Sequence, residues 1–68
     1  MKRIDTSGMS CPQPVLMTKK ALEENPEGLD IIVDNKTARG NVDRFLKNAG
    51  YKVTIREQDD TYLIEARK

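Results

Sequence analysis

The stretch LDIIVDNKTARGNVDRFLKNAGY, residues 29–51, contains a strand followed by a helix, and this unit decides the fold. From Leu29 to Asp34 the side chains alternate with the period of a half-buried strand. One face of that strand comprises Leu29, Ile31 and Val33, and the other comprises Asp30, Ile32 and Asp34. A helix from about Lys36 to Asn48 follows, since four apolar residues have the i, i+3, i+4, i+7 spacing of one helical face: Val42, Phe45, Leu46 and Ala49. We expect Asp34 to cap this helix rather than to act in catalysis.

The flanking segments complete a β-α-β-α-β-β order. Residues 1–6 predict a short edge strand and residues 7–10 a turn. A helix from about Pro12 to Glu24 follows and ends before Pro26, which cannot continue it. One face of this helix comprises Cys11, Val15, Thr18 and Leu22, flanked less tightly by Met17, Ala21 and Leu16. Residues 51–57 and 61–67 alternate like strands on either side of a turn at 58–60.

This order defines the expected fold class. Every strand has one polar face, so the helices should cover only one side of the sheet. The prediction is an α/β (α+β) two-layer sandwich with a mixed four-stranded sheet and two helices on one face. With 68 residues, the chain has room for a single domain, residues 1–68.

Composition excludes several classes of function. A net charge of +1 lacks the basic footprint of a nucleic-acid binder or of a protein that adheres to acidic membranes. The N-terminus lacks the apolar region of a signal peptide, so we expect a cytoplasmic protein. Because the chain has no histidine and one cysteine, it cannot form a Cys-His pair, an internal disulfide, a CxxC pair or a cysteine zinc cluster. We predict no metal and no cofactor.

The sequence Cys-Pro-Gln-Pro places the only thiol directly before a helix. If Ser10 caps the helix, Pro14 removes a helical hydrogen bond. If Cys11 is the N-cap, Pro12 falls at the first helical position and neither proline removes a helical hydrogen bond, so we prefer this register. The positive end of the helix then favours a thiolate and lowers the pKa of Cys11. Pro12, Gln13 and Pro14 would shape the site, and the Gln13 N–H would meet the sulfur.

Topology predicts neighbours for this thiol. Each βαβ crossover returns the chain to the same edge of the sheet, where ligands of open α/β sheets collect. Lys36 and Arg39, at the start of the second helix, could therefore reach towards the sulfur. Two interpretations of these cations stay open: an electrostatic or partner contact, and an ordinary solvated helix surface.

A thiolate without a base can still exchange sulfur. It can attack the outer sulfur of a partner's persulfide and later pass that sulfur to another cysteine. One alternative is that Cys11 is a small buried side chain. Another is that the Cys-Pro-x-Pro segment is a rigid recognition edge in a protein-interaction or regulatory module. The first alternative becomes less attractive because two prolines follow the thiol.

The segment GMSCPQPV, residues 8–15, resembles the G-x-x-C-P-x-P-[VL] signature of TusA/SirA-like sulfur carrier proteins. IIVDN, residues 31–35, and the V-x-x-F-x-x-x-x-G-[YH] pattern of residues 42–51 extend the resemblance over almost the whole chain. The match is closest to the YedF-like branch, associated with selenium metabolism, in which this unit is often the N-terminal half of a longer protein.

The resemblance implies a βαβαββ sandwich whose Cys11 carries sulfane sulfur as a persulfide. It implies a sulfur carrier or sulfurtransferase that acts only with partner proteins. The donor would be a cysteine desulfurase or another sulfur-donor protein, and the acceptor a relay protein that serves tRNA thiolation or another sulfur pathway. No direct contact with nucleic acid or membrane is implied.

Overall fold

The structure, a computed structural model, describes residues 3–8 and 13–68. The elements follow the predicted β-α-β-α-β-β order: β1 Arg3–Asp5, α1 Gln13–Glu24, β2 Gly28–Val33, α2 Lys36–Asn48, β3 Lys52–Gln58 and β4 Thr61–Arg67. The predicted bounds of α2 and β4 are confirmed, and β2 and β3 are each displaced by one residue from their predictions.

The four strands form one mixed sheet in the order β1-β2-β4-β3, so β1 is an edge strand as predicted. β1 runs parallel to β2, whereas β4 runs antiparallel to both β2 and β3. The strands β1, β2 and β3 therefore point the same way. Their carboxyl ends meet at one edge of the sheet, which we call the carboxyl edge and which begins after Asp5, Val33 and Gln58.

Both helices pack on one face of the sheet, which confirms the two-layer sandwich. The core between the layers comprises Ala21, Leu22, Leu29, Ile31, Val33, Ala38, Val42, Leu46, Ile64 and Ala66. Leu29, Ile31 and Val33 in this set form the face of β2 that alternation separates from Asp30, Ile32 and Asp34. Burying them supplies the main driving force for a chain this small.

The buried face of α1 differs from its prediction. Pro14 and Ala21 are buried beside Thr18 and Leu22, whereas Val15 is only half-buried. Pro14 and Ala21 lie at i−4 and i+3 from Thr18, so they share its helical face. The buried side of the helix is thus rotated towards Pro14 and Ala21 relative to the predicted stripe.

The helix-free face of the sheet is less polar than expected. Leu63 is buried there with only 6% of its surface exposed, and its cross-strand neighbour Ile32 is half-buried. An ion-pair chain crosses the same face over all four strands, in the order Arg3, Asp30, Arg67, Glu65 and Arg56. The apolar stems of such arginines can cover neighbouring apolar side chains while their charged ends stay hydrated.

Of the helices in the described ranges, neither is long and apolar enough to cross a membrane.

Candidate functional site

The end of β1 is fastened to the end of β2 by a buried threonine. Thr6 has no exposed surface, and its hydroxyl and its backbone N–H both donate to the carbonyl of Ile32, at 2.6 and 2.8 Å. The backbone bond prolongs the parallel pairing by one residue, and the hydroxyl bond reinforces it. The loop that leads from β1 towards the cysteine thus starts from a fixed point.

The next residues of this loop turn tightly. The Ser7 N–H donates to the Asp5 carboxylate at 2.9 Å. Hydrogen bonds from the Ser7 side chain and backbone hold the pKa of Asp5 below its ordinary value of 3.8. Gly8 follows with φ +81°, a left-handed conformation that a residue with a side chain adopts at a cost.

Asp34 joins the two loops of the carboxyl edge. One of its carboxylate oxygens, Oδ2, accepts from the Gly8 N–H at 2.7 Å across 26 residues of sequence. The other oxygen, Oδ1, accepts from the Asn35 side-chain amide at 3.1 Å. The loop after β1 is thereby tied to the loop after β2.

The expectation that Asp34 caps α2 is wrong, because Asn35 is the N-cap. Asn35 has extended backbone angles, φ −153° and ψ 161°, and its side-chain oxygen accepts from the Ala38 N–H at 2.7 Å. The helix begins at Lys36, so the residue directly before it has the N-cap geometry. This leaves the Asp34 carboxylate free to turn towards the other loop.

The predicted cysteine motif is partly described. Cys11 and Pro12 lie outside the described residues, so the proposed N-cap register of the thiol stays a prediction. Gln13 is exposed and is the first residue of α1. Pro14 is fully buried, and its carbonyl accepts from the buried Thr18 hydroxyl at 2.8 Å. Pro14 therefore anchors the first turn of α1 in the core, and its role in shaping a sulfur site stays a prediction.

The two predicted cations begin α2 at the carboxyl edge. Lys36 is exposed, whereas Arg39 is half-buried with its guanidinium 5.0 Å from the centre of the Tyr62 ring. Tyr62 pairs with Val33 at the end of β2, so this cation–π contact lies at the same edge. An electrostatic role of either cation towards Cys11 is a prediction, since the thiol is not among the described residues.

Sequence reasoning missed the contacts made by Thr6 and Asp34. Alternation in β1 gave no sign that Thr6 would be buried, because that strand is only three residues long. The role of Asn35 could have been found, since a helix predicted to start at Lys36 has Asn35 as its N-cap. The role of Asp34 depends on a partner 26 residues away, and no local pattern reports such a partner.

Fold and motif together define a class: a small two-layer α/β protein whose single thiol lies in the crossover from β1 to α1. Comparison with known proteins narrows that class. A family model described as "Sulfurtransferase TusA" matches residues 2–68. The chain belongs to the TusA family of sulfur carrier proteins, which confirms the resemblance drawn from the motif. Assignment to the YedF-like branch stays a prediction.

Individual relatives agree with this family. A protein of Methanocaldococcus jannaschii named "Putative sulfur carrier protein" is 48% identical over 63 residues, which cover 90% of this chain and 84% of the relative. The "Sulfur carrier protein TusA" of Pseudomonas fluorescens is 31% identical over 68 residues, covering 96% of this chain and 82% of the relative. A crystal structure of a SirA-like protein from Desulfitobacterium hafniense superimposes with a TM-score of 0.90 at 32% identity, covering 98% of this chain and 96% of that one.

Proposed function

We propose that this chain receives sulfane sulfur as a persulfide on Cys11 and delivers it to a thiol of a second protein. The observation that carries the proposal is membership of the TusA family over residues 2–68 in a chain with one cysteine. Relatives in this family are named sulfur carrier proteins. In a chain without a second thiol, Cys11 is the side chain that can hold a persulfide.

The transfer steps balance without an external oxidant or reductant. The Cys11 thiolate attacks the outer sulfur of a donor persulfide, a new S–S bond forms at Cys11, and the donor's S–S bond breaks. The donor leaves as a thiolate, and Cys11 becomes a persulfide. In delivery, an acceptor thiolate attacks the outer sulfur and Cys11 leaves as a thiolate.

The surroundings of the carboxyl edge support this chemistry. The start of α1 carries the positive end of the helix dipole, which favours a thiolate over a thiol. Lys36 and Arg39 add positive charge at the start of α2. These two cations would attract anionic sulfur, whereas the Asp5 and Asp34 carboxylates at the same edge would oppose an acidic partner surface.

The proposal implies two protein partners. A cysteine desulfurase or another persulfide-bearing protein supplies the sulfur, and an acceptor with a reactive cysteine consumes it. Exchange of this kind needs thiols that are kept reduced, as they are in the cytoplasm, where we place the reaction.

Intact-mass measurement tests the proposal. The protein is incubated with a cysteine desulfurase and cysteine, and its mass is measured before and after treatment with a reducing thiol. We expect wild type to gain sulfur that the reductant removes. Cys11→Ser should gain none, since an alcohol does not form a persulfide. Equal gains of labile sulfur by wild type and Cys11→Ser would overturn the assignment.

A further inference from the structure

The loop that precedes Cys11 has a second anchor besides the buried Thr6. The Gly8 N–H, three residues before the cysteine, donates to the Asp34 carboxylate at 2.7 Å. Both residues are exposed, so this bond adds little to the hydrophobic core. Its effect is local: it fixes a left-handed glycine, φ +81°, to the start of the β2–α2 loop.

Asp34 is itself held in place. The Asn35 side-chain amide donates to its Oδ1 at 3.1 Å, while the Asn35 side-chain oxygen accepts from the Ala38 N–H. The cap of α2, Asp34 and Gly8 thus form one continuous hydrogen-bonded series. Since the Asp34 carboxylate meets a donor on each oxygen, an aspartate fits better than an asparagine, which has a single accepting oxygen.

The other end of the same crossover is also fixed. Pro14 is fully buried, and its carbonyl accepts a hydrogen bond from the Thr18 hydroxyl. The chain that bears Cys11 therefore runs between one anchor in the core and one anchor made by a solvent-exposed carboxylate. Of these two, the carboxylate is the one that can be altered without emptying the core.

We infer that Asp34 is a positioning residue for sulfur transfer, acting through the Gly8 backbone amide on the loop that leads to Cys11. This inference rests on the proposed function. Asp34 neither donates nor accepts sulfur; it limits the conformations of the loop and so holds the thiol in its productive direction. Removing the anchor should lower the rate of sulfur transfer while the fold persists.

The experiment compares wild type with Asp34→Asn, Asp34→Ala and Asp34→Glu, and with Glu27→Gln as the charge-matched control. Glu27 is exposed and precedes β2 at the opposite edge of the sheet. Three quantities are measured: the NMR shift and hydrogen exchange of the Gly8 amide, the pH profile of Cys11 alkylation, and the rate of persulfide loading from a desulfurase.

We expect the Gly8 amide to exchange faster in Asp34→Ala, and loading to fall about tenfold, less than the ~100-fold that a 1 Å misplacement can cost. The alkylation profile should move towards the ~8.5 of an ordinary thiol. A carboxylate that acted only through its charge would give the opposite shift, because its removal would favour the thiolate. Asp34→Glu should restore part of the rate, and Glu27→Gln should match wild type.

Three results would overturn the inference: an unchanged Gly8 amide, unchanged loading in Asp34→Ala, or an equal loss in Glu27→Gln. The proposed function fails separately. If wild type takes up no sulfur while the Gly8 amide and the alkylation profile respond to Asp34, the anchor is real and the sulfur-carrier role of Cys11 is wrong.

Discussion

Substituting alanine for two glycines should change stability in opposite directions. Gly28, the first residue of β2, has φ +133°, and an added Cβ would overlap the carbonyl oxygen of Ala66 and lie 3.2 Å from Arg67 Cα. The conformation alone costs a non-glycine residue about 1–3 kcal/mol. Because the obstacle is backbone, no side-chain rotation relieves it, and β2 and β4 must separate at Gly28. We expect Gly28→Ala to lower the free energy of unfolding by roughly 3 kcal/mol, a large share of the ~5–15 kcal/mol typical of a domain.

Gly40→Ala is the matched control. Gly40 lies within α2, and apart from its two neighbours and the backbone of its own helix no heavy atom lies within 4 Å of the Cβ that alanine would add. Alanine should stabilise the helix by about 0.5–1 kcal/mol.

Urea unfolding followed by circular dichroism measures both changes, with equal m-values confirming a common denatured state. Ordinary surface substitutions change the free energy of unfolding by no more than about 0.5 kcal/mol. If the value for Gly28→Ala lay this close to that of wild type, the close approach of β2 to β4 would be refuted.

Three further predictions concern side chains of the sheet. Arg67→Gln should destabilise the protein by about 1–3 kcal/mol in urea unfolding, because it removes a 2.9 Å bond to the nearly buried Asp30 carboxylate. Thr6→Val should lower the free energy of unfolding by about 1 kcal/mol, since the methyl group keeps the volume and loses the hydroxyl bond. The lowered pKa of Asp5 stabilises the fold above pH 3.8 and ceases to do so as the carboxyl protonates at lower pH, so Asp5→Asn should be less stable than wild type at neutral pH and converge with it in acid.

Each of these has a contrary outcome. Unchanged stability in Arg67→Gln would show that the ion pairs of Arg67 with Asp30 and Glu65 add nothing to the stability of the protein. A higher free energy of unfolding in Thr6→Val would show that the hydrogen bond of the Thr6 hydroxyl does not offset the cost of burying that hydroxyl. A stability difference between wild type and Asp5→Asn that persisted in acid would show that it does not come from the Asp5 charge.

Much of the fold follows from local patterns. The bounds of α2 were predictable from its apolar periodicity and from Gly50, which follows the end of the helix with φ +90°. The start of β4 was predictable from the turn after Gln58. Each of these signals involves only a few neighbouring residues. The inner face of β2 was predictable for the same reason, since alternation alone separates Leu29, Ile31 and Val33 from the other face.

The rest depends on contacts distant in sequence. The strand order β1-β2-β4-β3 cannot be predicted from any single segment, because it depends on which strands pair with each other. Burial of Leu63 on the helix-free face depends on neighbours from other strands. The same distinction holds for the candidate site. The cysteine motif and the cations of α2 can be identified from the sequence alone. The bond from Gly8 to Asp34 forms only after the β1-α1-β2 crossover brings the two loops to the same edge of the sheet.

The most direct test of the sulfur-carrier account locates the sulfur and follows its departure. The chain is loaded with radiolabelled sulfur by a desulfurase, purified and divided, and one part is alkylated and digested with trypsin. We predict that the label is on the peptide of residues 4–19, attached to Cys11, and that the untreated part loses it when mixed with an acceptor protein bearing a reactive thiol. Label found elsewhere in the chain, or label at Cys11 that no protein thiol removes, would contradict the account.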